Sequence, residues 1–132
     1  MSFDYVHEIT VRYRDLDPMQ HVNNAVYSSY LEQARVAYLR EVLGINKDPG
    51  MVVAHLELDF KRAVEFSDEQ VAVACRIPEL GEKSFRIEYE IRTDDGVAAT
   101  AETVQVAFDR EVGASRPIPD DWREAIQEFE GR

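Results

Sequence analysis

Apolar and polar residues alternate singly from residue 5 to 13: Tyr5, His7, Ile9, Val11 and Tyr13 fall on one side, Val6, Glu8, Thr10 and Arg12 on the other. A period of two predicts a strand. From Ala25 the period lengthens. Tyr27, Tyr30, Leu31, Ala34, Tyr38 and Val42 recur at helical spacing, with Ser28, Ser29, Glu32, Gln33 and Arg40 on the other side. This predicts a helix about 28 Å long, stopped by Gly44. Four more strands follow. In 52–60, Val52, Ala54, Leu56, Leu58 and Phe60 alternate with Val53, His55, Glu57 and Asp59. In 71–77, Val71, Val73, Cys75 and Ile77 share a face, and in 85–92 Phe85, Ile87, Tyr89 and Ile91 alternate with Arg86, Glu88, Glu90 and Arg92. The last run covers 97–108.

Turn chemistry joins these runs. Asp95-Gly96 predicts a two-residue hairpin loop between the last two strands. Leu80-Gly81-Glu82-Lys83 predicts a tight turn before them. Near the end, Pro119 precedes Asp121, and Glu124 follows three residues later, which predicts a short capped helix. The order is strand, long helix, four strands, short helix. Short connections make the last four strands antiparallel. The expected class is α+β: a five-stranded antiparallel sheet around one long central helix, in one domain over 1–132.

Composition narrows the function. At 132 residues and 45% hydrophobic content, one core can form without staples. Fifteen basic residues stand against 26 acidic ones, for a net charge of -11. That argues against nonspecific nucleic-acid binding and against docking on an anionic membrane. Lys47, Lys61 and Lys83 are the only lysines. An acidic, lysine-poor surface suits a salt-rich cytoplasm, where screening removes self-repulsion, and equally an ordinary acidic protein. Cys75 is the only cysteine, so no intrachain disulfide can form, which fits a reducing compartment. MSFDYVHE lacks a basic and apolar signal region, and no apolar run reaches membrane-spanning length. The expected location is cytoplasmic.

The stretch DLDPMQHVNN, residues 15–24, lies between the first strand and the long helix. Asp-Pro builds a turn and one asparagine caps a helix. Asp15, Asp17, His21, Asn23 and Asn24 exceed that need. A helix N-terminus offers free N–H groups and a partial positive charge, which polarise a carbonyl and stabilise an oxyanion. A carboxylate just upstream can reach that carbonyl carbon directly or through water. The pair makes a minimal acyl-transfer site. A thioester suits it, because a thiol with a pKa near about 8.5 leaves readily as thiolate.

Tyr13-Arg14-Asp15-Leu16-Asp17-Pro18-Met19-Gln20-His21-Val22-Asn23-Asn24-Ala25-Val26-Tyr27, followed by Tyr30-Leu31-Glu32-Gln33-Ala34-Arg35, resembles the hotdog-fold acyl-CoA thioesterases of the 4-hydroxybenzoyl-CoA thioesterase type. The HVNN form also resembles plant acyl-carrier-protein thioesterases. The resemblance implies a hotdog fold, with Asp17 as general base or nucleophile. It implies that N–H groups at Asn24, Ala25, Val26 and Tyr27 bind the thioester carbonyl, and that chains pair across sheet edges into homodimers or homotetramers with active sites at subunit interfaces. It names no cofactor. An enoyl-thioester hydratase of the same fold is a rival, but such relatives space Asp and His five apart; Asp17 and His21 are four apart. A noncatalytic acyl-thioester binding module is a second rival.

The remaining candidates are weighed singly. Asp15 reads as structural. His21 orients substrate or Asp17, or is a satisfied loop histidine. Asn23 positions water or the carbonyl, while Asn24 fits the helix cap better. Glu32 reads as a partner of Arg35, with catalytic base as the lesser reading. Lys61 and Arg62 close the second strand and suit coenzyme A phosphates, or are a solvated strand end. Arg86 and Arg92 fit cross-strand pairing. Cys75 fits a buried hydrophobe. His7, His21 and His55 lack tight ligand spacing, so no metal is expected.

Overall fold

The computed structural model describes residues 2–131. Strand β1 is Tyr5–Thr10, helix α1 Asn24–Leu43, β2 Met51–Phe60, β3 Gln70–Arg76, β4 Ser84–Thr93, β5 Gly96–Asp109, β6 Ala114–Ser115 and helix α2 Asp120–Glu130. The strands run β1-β3-β4-β5-β2, every neighbour antiparallel. The expected five strands are present, and the two-residue β6 adds itself to the end of β5.

The long helix forms because its apolar residues face the sheet and its ends are closed. Asn23 caps the start, its Oδ1 accepting from Ala25 N–H at 2.9 Å, and Gly44 closes the end at φ 73°, where a side chain would be strained. Tyr27, Tyr30, Leu31, Ala34 and Tyr38 are buried as their spacing predicts, joined by Ala37 and Leu39. They pack on Val71, Val73 and Cys75 of β3 and Phe85, Ile87, Tyr89 and Ile91 of β4, all buried. Each such aliphatic or aromatic side chain stabilises the fold by about 1.5–3 kcal/mol. Cys75 is a buried thiol whose pKa burial pushes up to about 12, so it stays protonated and inert. Helix α2 packs against α1 and strand β1: Phe129 meets Tyr38 edge-on at 5.7 Å and Tyr5 at 6.4 Å, and the Tyr38 hydroxyl donates to Glu130 at 2.7 Å.

Several local expectations need correction. The hairpin loop between β4 and β5 is Asp94-Asp95, with Thr93 paired to Gly96. Gly96 opens β5 at φ 121°, so the glycine serves the strand entry rather than the loop. The α2 cap is Pro119, without a side-chain bond; Asp121 and Glu124 lie inside the helix. Tyr13 leaves β1 for a single 3-10 turn and is exposed, stacked edge-on with Phe66. Arg35 bonds the Tyr89 hydroxyl at 3.1 Å, and Glu32 is exposed rather than its partner.

In β2 a bulge breaks the alternation. Val53 faces Gln105 and His55 faces Val104, so Ala54 is the extra residue. Before it Val53 shares the helix-side face; after it Leu56, Leu58 and Phe60 do. Val53, Leu56 and Phe60 remain 45%, 45% and 47% exposed. The expected apolar face exists, but within one chain α1 does not cover it. On the other sheet face the expected cross-strand pair of Arg86 forms, to Glu102 at 2.8 Å, and Arg76 pairs across strands with Glu88 at 2.7 Å. Arg92 instead pairs within its own strand, with Glu90 at 2.9 Å. Among the described residues, no helix is long and apolar enough to cross a membrane.

The loop between β1 and α1 hangs on Asp15, which is 1% exposed. Its carboxylate accepts the Arg12 backbone N–H at 2.8 Å, the Arg12 guanidinium at 3.0 Å and the Tyr30 hydroxyl at 2.9 Å. Burial opposes the charge, but these donors outweigh it and hold the Asp15 pKa below the ordinary 3.8. Asp15→Ala is expected to lose about 1–3 kcal/mol, and Tyr30→Phe about 1 kcal/mol, in urea unfolding at neutral pH. Because the folded pKa is the depressed one, the wild-type advantage is full above about pH 4 and shrinks as pH falls through the folded value. An advantage that grew on acidification would refute this role.

Candidate active site

At the N-terminus of α1 lies a cavity of about 290 Å³, lined by Asp17, His21, Val22, Asn24, Tyr27, Phe60, Lys61, Arg62 and Ala63. Asp17 is held by its own loop. Its Oδ1 accepts the N–H groups of Met19 at 2.9 Å and His21 at 3.3 Å, and its N–H donates to the His21 carbonyl at 2.8 Å. Gln20 takes φ 67° to close this turn, a strained choice for a non-glycine residue. Oδ2 of Asp17 has no protein partner among the described residues. The carboxylate is fixed by one oxygen and free at the other.

The opposite wall is the helix end. Of its first N–H groups, Ala25's binds the Asn23 side chain and Val26's binds the Asn23 carbonyl at 2.8 Å. Asn24 N–H has no partner among the described residues. It sits where the helix dipole is most positive. Tyr27 forms the floor: its hydroxyl accepts from Val64 N–H at 3.2 Å and donates to the Arg62 carbonyl at 3.5 Å. Burial, the leading cause, raises its pKa, so the hydroxyl stays neutral. Phe60 stands edge-on to Tyr27 at 5.0 Å.

Six of the anticipated residues therefore meet at one cavity: Asp17, His21, Asn24, Tyr27, Lys61 and Arg62. Three do not line it. Asn23 supplies the cap that the sequence assigns to Asn24, and Ala25 and Val26 have their N–H groups occupied. His21 joins Asp17 only through backbone bonds; its ring lies 3.8 Å from Glu65 Oε2. Arg62 donates to the Asp95 carbonyl and lies 3.8 Å from its carboxylate. The Lys61 ammonium has no partner among the described residues, so it is an unengaged cation at the rim. Phe60 and Ala63 are walls that the sequence reading does not name. Their adjacency to Lys61-Arg62 is the available signal.

A larger cleft, about 780 Å³, lies at the other end of α1 among Ile45, Lys47, Pro49, Arg116 and Trp122. It adjoins the helix C-terminus, whose negative pole opposes an oxyanion. The smaller cavity instead sets a carboxylate beside the positive end of the helix.

The thioesterase-like superfamily model matches residues 11–126. Among solved structures, a Thermus thermophilus thioesterase complexed with coenzyme A and Zn is 36% identical, with 96% of this chain and 94% of that one covered, at TM-score 0.86. A predicted thioesterase from Bacillus stearothermophilus is 27% identical over 95% of each chain, at TM-score 0.87. A 1,4-dihydroxy-2-naphthoyl-CoA hydrolase from Synechococcus elongatus is 25% identical over 130 residues, spanning 90% of this chain and 94% of its own length.

The cap geometry separates the two asparagines. Asn23→Ala is expected to cost about 1 kcal/mol of stability, and Asn24→Ala much less. Equal melting temperatures for the two variants would refute the assignment.

Proposed function

The chain belongs to the thioesterase-like superfamily, and from that premise we propose that this thioester hydrolase cleaves an acyl-coenzyme A thioester to free acid and coenzyme A. One observation carries the reading: Asp17, with one unpartnered carboxylate oxygen, and Asn24, with an unpartnered N–H, line the same cavity at a helix N-terminus. The thioester carbonyl oxygen accepts from Asn24 N–H. Negative charge develops there as the carbon becomes tetrahedral, and the helix end stabilises it. Asp17 takes a proton from an attacking water, or itself attacks to give an anhydride that water then opens. The tetrahedral adduct collapses with loss of the thiolate. His21 and Asn23 act at one remove, fixing the loop and the helix end.

Lys61 is the cation available for a coenzyme A phosphate. Arg62 contributes by shaping the rim and, after exchanging its Asp95 contact, by charge. The coenzyme A bound to the Thermus relative supports this class of substrate, as does the acyl-CoA substrate of the Synechococcus hydrolase. The acidic surface favours coenzyme A over an acidic carrier protein and gives no support to nucleic-acid or membrane partners. The single buried Cys75 fits a cytoplasmic setting.

The assembly follows from β2. It is a ten-residue edge strand with one side of its ladder open. It carries half-exposed Val53, Leu56 and Phe60 on its inner face. An open apolar edge of this length favours pairing with another chain. Pairing of β2 with β2 of a second copy would make a dimer that also borders the cavity, since Phe60 belongs to both features. Two such dimers would make a tetramer.

Asp17→Asn is expected to lower kcat in a thiol-release assay by at least about a hundredfold across an acyl-CoA panel. Lys61→Ala should raise KM with kcat largely kept. Wild-type turnover by Asp17→Asn would sink the mechanism. Light scattering should give at least twice the chain mass, and Leu56→Glu should reduce it; a wild-type monomer would rule out the pairing.

A further inference from the structure

The outer face of the sheet, remote from α1, carries a second cluster of donor atoms. His55 and Glu57 project from β2 on the same side, two residues apart, and Glu102 stands on β5 directly opposite Glu57. One imidazole nitrogen and one oxygen from each carboxylate all lie within 4.8 Å of one another. We propose that His55, Glu57 and Glu102 form a binding site for a divalent transition cation of the zinc class, separate from the catalytic cavity.

The first support is geometric. A zinc ion holds nitrogen and oxygen ligands at about 2.0–2.2 Å, so its ligand atoms stand about 3–4 Å apart. Atoms within 4.8 Å of one another stand close to that spacing. His55 and Glu57 are 48% and 63% exposed at their side chains and can adjust freely. His55 Nε2 is already 3.0 Å from Glu57 Oε1. The strand backbones are tied by the β2–β5 ladder, so the three ligand stems are held in place beforehand.

The second support is a charge that lacks its counterpart. Glu57 and Glu102 are like charges in directly opposed positions, an arrangement that destabilises a sheet pair. Arg86 answers Glu102, donating to its Oε1 at 2.8 Å, and leaves Oε2 available. Glu57 has no lysine or arginine partner among the described residues. Its neighbour is His55, which carries charge only when protonated. A cation between the two carboxylates removes the repulsion. The imidazole selects its class: nitrogen ligation favours zinc and its transition-metal neighbours, whereas magnesium and calcium prefer oxygen alone. Three protein ligands leave a coordination position open to water.

Position gives the ion a structural consequence. It would bridge β5 to β2, which is the edge strand within one chain. An ion that binds only the folded pair stabilises it by mass action. The sequence pattern behind the site is His-x-Glu on one strand, with the third ligand on a strand far along the chain, and only the register joins them.

The test is calorimetric titration of ZnCl2 into the full chain after EDTA treatment, with melting curves alongside. One saturable zinc site and a raised melting temperature are expected, with no comparable effect of MgCl2. His55→Ala and Glu57→Gln should each weaken zinc binding by at least tenfold, and Asp17→Asn should leave it unchanged. Both ligand positions are exposed, so circular dichroism should show these variants folded, and their thioester hydrolysis should match wild type. No saturable zinc binding by the wild-type chain would overturn the site. So would affinity kept within twofold in both ligand variants, or magnesium binding as tightly as zinc.

Discussion

A single buried charge organises the end of this molecule that carries the candidate site. Asp15 is removed from solvent, yet its carboxylate stays ionised because three donors surround it. Those donors come from the strand exit, through Arg12, and from the helix, through Tyr30. The backbone adds a further tie, Asn23 N–H to the Asp15 carbonyl at 2.9 Å. The carboxylate therefore pins the end of β1 and the first turns of α1 to one point. An ion this deep costs more than a hydrophobic residue would unless every lone pair is answered. What it provides is position: the loop from Leu16 to Val22 leaves and rejoins a fixed base, closing as a small bridge between those two residues.

Asp17 depends on that base. Two residues on, it is half-buried and lines the cavity, and its loop satisfies only one of its oxygens. The neighbouring carboxylates thus divide the work that their similar sequence contexts conceal. One is saturated with donors and holds structure; the other is half-satisfied, and in the proposed mechanism its second oxygen meets the water or the thioester. The same division governs the helix start, where Asn23 occupies the Ala25 and Val26 N–H groups and Asn24 N–H remains. A site assembled from one spare oxygen and one spare N–H is weak as a general hydrolytic device. The proposed mechanism asks it to act only where the leaving group needs no protonation, which is the thioester case.

How much of this was legible in the sequence depends on the range of each interaction. Alternation in β4 placed Phe85, Ile87, Tyr89 and Ile91 in the core, because that strand is central and both of its faces have fixed environments. The same rule failed in β2, where the Ala54 bulge exchanges the faces of Val52 and Val53. A bulge is set by pairing with β5, a strand distant in the chain, and leaves no local mark. The candidate site was legible as far as it is local: Asp17, His21 and Asn24 come from one ten-residue stretch. Lys61 and Arg62 were legible as a basic pair at a strand end. Which asparagine caps could not be read, because both are good caps and the choice turns on a one-residue difference in where helical dihedrals begin. The His55–Glu57–Glu102 cluster was hidden for the same reason as the bulge, since it exists only once strand register is known.

The edge strand links these threads. β2 ends at Phe60, a wall of the cavity, and its inner face is half bare within one chain. A cavity whose wall is also an uncovered edge is incomplete until that edge is covered. Burying Val53, Leu56 and Phe60 against a second copy would dry the surroundings of Asp17 and Asn24, and a lower local dielectric strengthens the interaction of the helix end with a developing oxyanion. The acidic character of the chain works in the other direction, since two copies at -11 each repel. In the proposed dimer, apolar burial at the edge would have to outweigh that repulsion, and salt would favour association by screening it. Catalytic competence in this reading is therefore coupled to ionic strength through assembly, although no charged residue of the cavity needs to change its state.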